Sequence, residues 1–199
     1  MRVRGNSLSA VMLLGALSLC CAAIARAQAE VIRLDSRNVS IAFQVFNLGV
    51  WPVNGRFLSA AGAIDLDRAQ PARSRLKVVA ATASLHTEDG VGDDDLRSAS
   101  LFDAAHYPQV VFESTGIALA TPTSGTLNGN LAIRGVVRSV SLSFRFLPAR
   151  GAALGNGPPP PIGRIEARGT VRRSLWGMTA YIPAISDEVS LDIQVELGK

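Results

Sequence analysis

Apolar and polar residues alternate along two long segments in the carboxyl-terminal half of the chain. In residues 139–146, apolar side chains occupy the even positions, while three serines and an arginine occupy the odd ones. In residues 189–197 the odd positions are apolar and the even ones polar. Successive side chains of a strand point to opposite faces. The pattern therefore predicts two strands, each with one face buried and one in water.

Weaker alternation predicts five further strands, at Val39–Val45, Leu76–Leu85, Val110–Ser114, Leu127–Arg134 and Ile165–Val171. Residues typical of turns are expected to separate the strands: Asn54-Gly55, Gly62, Gly90, Gly125, Asn128-Gly129, Gly135 and Gly163. A series of strands with one apolar face each predicts an all-β protein, either an antiparallel barrel or a sandwich.

Two segments interrupt the alternation. Asp93–Ala105 begins with three acidic residues, which favour the positive end of a helix, and continues with Leu96, Leu101 and Phe102. We expect a short helix here that caps one mouth of the barrel. Pro148–Gly163 contains four consecutive prolines and is expected to be a loop between two strands rather than a domain boundary.

The first 27 residues differ in composition from the rest. Arg2 and Arg4 precede an apolar stretch, residues 8–24, which is followed by the triplet Ala25-Arg26-Ala27. This order is typical of a cleavable secretory signal, here over residues 1–27. A membrane anchor is the weaker alternative, because a spanning helix needs about 20 apolar residues. Lipidation is weaker too, since neither Cys20 nor Cys21 follows a small residue. Residues 28–199 are then expected to form one cysteine-free exported domain.

Removal of this signal changes the meaning of the net charge. The chain has 20 basic and 16 acidic residues, and three of the basic ones, Arg2, Arg4 and Arg26, leave with the signal. The remaining domain is nearly neutral, and its arginines are interleaved with acidic residues. A nucleic-acid interface would need a concentrated basic stripe. Nucleic-acid binding is therefore not expected.

Catalytic chemistry has no positive support in the sequence. The only histidines are His86 and His106, both near predicted strand ends or turns and expected to make surface hydrogen bonds. No Gly-x-Ser-x-Gly motif and no glycine-rich phosphate loop occur in residues 28–199. The acidic residues between Glu88 and Asp95 could bind calcium, but a solvated turn with acids at a helix start explains them equally well. We expect neither an enzyme nor a cofactor.

The apolar content leaves two possibilities for the interior. A barrel of about eight strands can be filled by its own side chains or can hold one small ligand, and periodicity does not separate the two.

Short motifs follow one another in a characteristic order along the chain. They are Asp35-Ser36; Gly55-Arg56-Phe57; Asp94-Asp95-Leu96-Arg97-Ser98 with Leu101-Phe102-Asp103; Tyr107-Pro108 with Phe112-Glu113-Ser114; Gly129-Asn130-Leu131 with Ile133-Arg134-Gly135-Val136; Arg173-Ser174 with Trp176-Gly177-Met178; and Ser186-Asp187-Glu188-Val189. Their order and spacing resemble the YceI family of exported lipid-binding proteins. The resemblance covers nearly all of Val31–Glu196.

The resemblance implies a lipocalin-like antiparallel barrel of about eight strands, with a cavity for a polyisoprenoid-type lipid, of which an isoprenoid quinone is one candidate. It implies a periplasmic carrier, with transient membrane contact and a homodimer as further expectations. Seven inward apolar residues would line the cavity: Phe43, Phe112, Leu131, Ile133, Leu142, Phe144 and Trp176. The alternative is a periplasmic interaction or stress-response module with a filled barrel.

This chain departs from the family pattern at three places. The family has histidines in the first long strand, where this chain has Asn38 and Asn47, and an Arg-Asp-x-His-Leu-like run where it has residues 92–96 with Asp95. A polar residue commonly follows the Arg-Ser pair, and here it is Leu175. Head-group contacts at the mouth are therefore expected to differ from the family pattern.

Overall fold

Within the described residues, eleven strands form one antiparallel sheet. The structure is a computed structural model that describes residues 30–67, 69–88, 90, 92–148 and 162–197. The strands are β1 (Glu30–Leu34), β2 (Val39–Asn47), β3 (Trp51–Phe57), β4 (Ala60–Leu66), β5 (Arg75–Ala81), β6 (Leu85–Thr87), β7 (Gln109–Thr121), β8 (Ser124–Ile133), β9 (Val136–Pro148), β10 (Ile162–Arg172) and β11 (Glu188–Glu196). The helix α1 spans Asp93–Arg97, and 3₁₀ turns span Pro71–Arg73, Thr82–Ser84 and Arg173–Trp176. The predicted signal over residues 1–27 and the centre of the proline-rich loop lie outside the described residues.

The sheet closes into a barrel because three pairs of strands are long strands bent once. The hydrogen-bonded order is β1-β4-β5-β7-β8-β9-β10-β11-β2-β3-β6. β1 leads into β2, β3 into β4 and β5 into β6, each through a corner of a few residues. At one corner Leu58 N–H donates to the Ser84 carbonyl at 3.0 Å, and Ala81 N–H donates to that of Ser59 at 3.0 Å. Counted as continuous chains, the strands number about eight, as predicted.

Several glycines expected in turns lie inside strands instead. Gly55 is in β3, Gly62 in β4, Gly125 and Gly129 in β8, and Gly163 in β10. For two of them the reason is space: a Cβ at Gly55 would overlap the Phe43 ring, and one at Gly129 would overlap the Phe112 ring. A glycine under an aromatic ring from a neighbouring strand is a known way to fit large side chains inside a curved sheet. Gly90 and Gly135 do lie in turns, with φ of 70° and 73°.

β7 is longer than the alternation predicted. It runs to Thr121 rather than ending at Ser114. A register shift between Ser114 and Gly116 inserts one extra residue against β8. The inward position therefore changes from even at Phe112 to odd at Ile117. A bulge changes the parity of a strand, so a strict period of two cannot follow it.

α1 is shorter than the predicted helix over Asp93–Ala105. It ends at Arg97, and the Ser98 hydroxyl donates to the Asp95 carbonyl at 2.7 Å. The chain then continues in turns that bring Leu101 and Phe102 against the apolar core. No helix in the described ranges is long and apolar enough to cross a membrane.

Asp93 joins the start of α1 to β6. Its carboxylate accepts hydrogen bonds from the Thr87 amide at 2.7 Å and the Thr87 hydroxyl at 2.9 Å, and it contacts His86 Nδ1 at 2.8 Å. The Thr87 amide and His86 lower the pKa of Asp93 to about 2. The Asp93 carboxylate thus binds the end of β6, while Asp89 lies outside the described residues. Among those described, no three His, Cys, Asp or Glu side chains are grouped as metal ligands.

A first prediction concerns acid stability. Because the native pKa of Asp93 is depressed, its charge stabilises the fold above its ordinary pKa, near 4, and this contribution is lost as the pH falls toward 2. Asp93→Asn should therefore lower the urea midpoint at pH 7, and the difference from the parent should shrink between about pH 4 and pH 2. Asp94→Asn, at a fully exposed side chain, is the control and should change little. A difference that stays constant with pH would contradict the assignment.

The interior cavity as candidate functional site

The inward faces of the strands enclose a cavity of about 340 Å³. This volume lies at the lower end of the roughly 300–1,000 Å³ of pockets that hold small ligands. The wall is almost entirely apolar. All seven residues singled out from the sequence line it: Phe43, Phe112, Leu131, Ile133, Leu142, Phe144 and Trp176. Their contact with a ligand stays a prediction.

Further wall residues lie in strands that the sequence pattern does not predict. Val53 in β3 and Ile64 and Leu66 in β4 line the cavity, although no strand was predicted there. Their segments are short, interrupted by glycine and proline, and bent at a corner, so the local alternation is weak. Aromatic rings extend the wall, with Phe57 making edge-on contacts to Phe43 at 6.2 Å and to Phe102 at 6.1 Å between ring centres.

One end of the cavity is covered by α1, the turns after it and the 3₁₀ turn Arg173–Trp176. Trp176 is 1% exposed, and its indole N–H donates to the Leu131 carbonyl at 3.2 Å. The Arg134 guanidinium donates to the carbonyls of Gly177 and Ala99, both at 3.2 Å, and so ties the two covering segments together. Leu101 and Met178 are buried beneath this cover. The predicted capping role of the helix is thus shared by two segments.

A buried arginine holds the second covering segment in place. The Arg173 guanidinium donates to the carbonyls of Met178 at 2.7 Å, Ser186 at 2.9 Å and Ile185 at 3.0 Å. Burial lowers its pKa, opposed by the negative charge of Asp187. In the sequence Arg173 stands out only as part of a motif, because nothing there shows which carbonyls will surround it. Its effect is to fix the loop that carries Met178, Tyr181 and Ile185 of the cavity wall.

Asp187 is ionised beside this arginine. Burial opposes its ionisation, but the Ser174 hydroxyl and amide donate to it at 2.7 and 2.8 Å, and Arg173 and Arg172 add positive charge. Together these groups hold the pKa of Asp187 below its ordinary value. The Arg173-Ser174 motif is therefore a structural clamp between the end of β10 and the start of β11.

The remaining polar positions singled out from the sequence serve the fold or lie outside the cavity, with the exception of Asp95. Asn38 accepts a hydrogen bond from the Asp35 amide at 2.8 Å and donates to the Arg33 carbonyl at 2.9 Å, which stabilises the corner between β1 and β2. Asn47 lies at the end of β2, where it bridges to Ile185. Asp95 does line the cavity. His106 pairs with Asp103 on the surface at 2.8 Å.

Comparison with known sequences assigns the family. A model described as YceI-like domain matches residues 33–197. This chain belongs to the YceI-like family. A UPF0312 protein of Azotobacter vinelandii is 30% identical over 190 residues, covering 92% of this chain and 95% of that protein.

Solved structures support the same fold. The structure of Burkholderia cenocepacia BcnA is similar with a TM-score of 0.64 at 22% identity, covering 81% of this chain and 98% of that one. A polyisoprenoid binding domain from Saccharophagus degradans, implicated in plant cell wall breakdown, matches with a TM-score of 0.57 at 14% identity, covering 85% and 99%. The expected barrel of the YceI-like family is thus confirmed.

Proposed function

We propose that this protein is an exported, periplasmic carrier that holds an isoprenoid-type lipid inside its barrel, with an isoprenoid quinone as one candidate. The observation that carries the proposal is the apolar cavity of about 340 Å³. The fold shared with a polyisoprenoid binding domain supports the ligand class. The signal-like composition of residues 1–27 supports export. Both histidines are paired with aspartates rather than placed on the cavity wall, which supports a carrier over an enzyme.

The energetics favour an occupied cavity. Apolar side chains that face unfilled space lack packing partners on that side and lose those contacts. An apolar chain in the cavity would instead gain about 25 cal/mol per Å² of apolar surface removed from water. A lipid bound in the cavity is therefore expected to stabilise the folded barrel.

The test is the lipid content of the protein purified from its own cell. Native mass spectrometry and solvent extraction should find an isoprenoid-type lipid, and delipidation should lower the melting temperature. Ala167→Phe projects a ring into the cavity from β10 and should exclude the lipid from a protein that still folds. Thr170→Phe adds the same ring to the exposed outer face of β10 and should retain it.

Two outcomes would contradict the proposal. Parent protein that is consistently free of lipid would favour an interaction or stress-response module. Equal lipid content in Ala167→Phe, Thr170→Phe and parent would show that the lipid binds somewhere other than the interior.

A further inference from the structure

Two neighbouring segments place a group of apolar side chains on the surface at one rim of the barrel. We call this group the apolar lip. It consists of Phe46, Leu48, Val50, Trp51, Tyr181 and Ile182. The first four lie on and beside the turn between β2 and β3, and the last two lie on the loop before β11.

Backbone hydrogen bonds hold the two segments together. Leu48 N–H donates to the Ala184 carbonyl at 2.6 Å, and Ser186 N–H donates to that of Phe46 at 2.8 Å. Within the loop, Ile185 N–H donates to the Tyr181 carbonyl at 2.7 Å. The lip is therefore a fixed surface rather than two independent loops.

The exposure of the lip is costly in two ways. Leu48, Val50 and Trp51 are 68%, 66% and 65% exposed, so large apolar surfaces meet water. Leu48 also has φ of 50°, at a turn position where asparagine or glycine is favoured. A polar residue would serve this turn better on both counts. The composition of the lip thus indicates a surface that is covered when the protein acts.

The lip is continuous with the cavity wall. Tyr181 belongs to both, and Val45, Val53 and Ile185 line the cavity on the inner side of the same segments. The lip therefore adjoins the cavity wall at Tyr181, at the covered end of the barrel. A lipid that entered beside the lip would leave hydrocarbon on one side and meet it on the other.

The absence of charge around the lip also favours hydrocarbon as the surface that covers it. Residues 38–55 and 174–186, which contain both segments, have no charged side chain. Protein interfaces commonly surround an apolar centre with polar and charged residues that fix orientation. A tryptophan and a tyrosine among aliphatic side chains are instead the residues found at the boundary between lipid head groups and hydrocarbon. Uncharged segments fit uncharged hydrocarbon.

We propose that the apolar lip docks on a phospholipid bilayer, inserting Leu48, Val50 and Trp51 to the level of the hydrocarbon boundary so that lipid passes between membrane and cavity. This inference rests on the proposed carrier function and adds the surface through which it operates. Because the lip has no charge, docking depends on apolar burial and not on anionic lipids.

The test uses the lipid-loaded protein and phosphatidylcholine vesicles. Co-sedimentation and a blue shift of tryptophan emission should report docking at both low and high salt. The double variant Leu48→Asn/Trp51→Gln should weaken docking by roughly tenfold or more, because two buried apolar side chains are lost. Val31→Asn/Leu119→Asn removes two exposed apolar side chains away from the lip and is the matched control. Lipid content by mass spectrometry is measured on every sample.

Docking lost only in the lip variant, with its lipid content unchanged, supports the inference. Lipid-loaded parent protein that ignores phosphatidylcholine vesicles overturns it while leaving the carrier function intact. Binding restricted to anionic vesicles and abolished by salt overturns it in favour of a basic surface. A homodimer that the lip variant dissociates, with no vesicle binding, overturns it in favour of a second copy. Lipid-free parent protein would count against the carrier function itself.

Discussion

Phe144→Asp is expected to destabilise the barrel by about 4 kcal/mol or more, or to leave it unable to retain a ligand. Phe144 is 5% exposed on the inward face of β9, and its ring lies 5.2 Å from that of Phe146. The substitution removes a large apolar side chain and places a carboxylate on an apolar wall, where it has no partner. Urea unfolding measures the loss, and solvent extraction measures the ligand.

Ser143→Asp is the matched control on the other face of the same strand. Ser143 is exposed, and its hydroxyl donates to the Arg168 carbonyl at 3.1 Å. A surface change of this kind should alter stability by no more than about 0.5 kcal/mol. Equal losses of stability in the two variants would mean that the inward and outward faces of β9 are assigned wrongly.

The Phe144→Asp variant also has an expected pH dependence. Burial raises the pKa of a carboxyl group in the folded state. The added destabilisation should therefore be smallest below the ordinary aspartate pKa of about 3.9 and should grow as the pH rises above it. A loss that is the same at pH 4 and pH 7 would show that the carboxylate reaches water.

Trp176→Ala should cost about 3–5 kcal/mol, the usual range for removing a fully buried aromatic side chain. Trp176 lies under the cover of the cavity, and its indole reaches the Leu131 carbonyl. Its removal opens the covered end, so the variant should also release ligand faster. Thermal unfolding and lipid retention during dialysis check the two effects separately.

Trp176→Phe separates the hydrogen bond from the packing. It keeps most of the ring volume and loses the donor to Leu131, so about 1–2 kcal/mol should be lost. If it were as damaging as Trp176→Ala, the hydrogen bond and not the packing would account for the stability.

Much of the strand pattern could be read from the sequence, while the corners could not. β9 and β11 alternate without interruption, and their inward positions line the cavity as predicted. The sequence does not predict β3 and β4, because each contains residues typical of turns: Asn54-Gly55 in β3 has the composition of a hairpin turn, and Gly62 lies in β4. In the barrel the Asn54 side chain instead accepts a hydrogen bond from Gln44 at 2.8 Å, and Gly55 leaves room for Phe43. Gln44 and Phe43 both lie on the neighbouring strand β2, so the local sequence of β3 does not reveal these contacts.

The candidate site divides in the same way. The seven predicted residues all lie around the cavity. They could be predicted because each occupies an inward strand position or belongs to a family motif. The clamp formed by Arg173 and the apolar lip were not predicted. Arg173 has carbonyl partners up to 13 residues away, and the lip joins residues more than 130 positions apart in the chain. Neither arrangement has a local signature.

What the sequence determined by itself is which side of each regular strand meets water, because the period of two is a property of the strand alone. It also determined that the chain forms antiparallel strands rather than helices. The closure of the sheet by bent strands, the covering of one end by two segments and the cavity in the interior follow only from the packing of the folded chain. Closure and empty space depend on how strands far apart in the chain curve and pack against one another, and no local pattern contains that information.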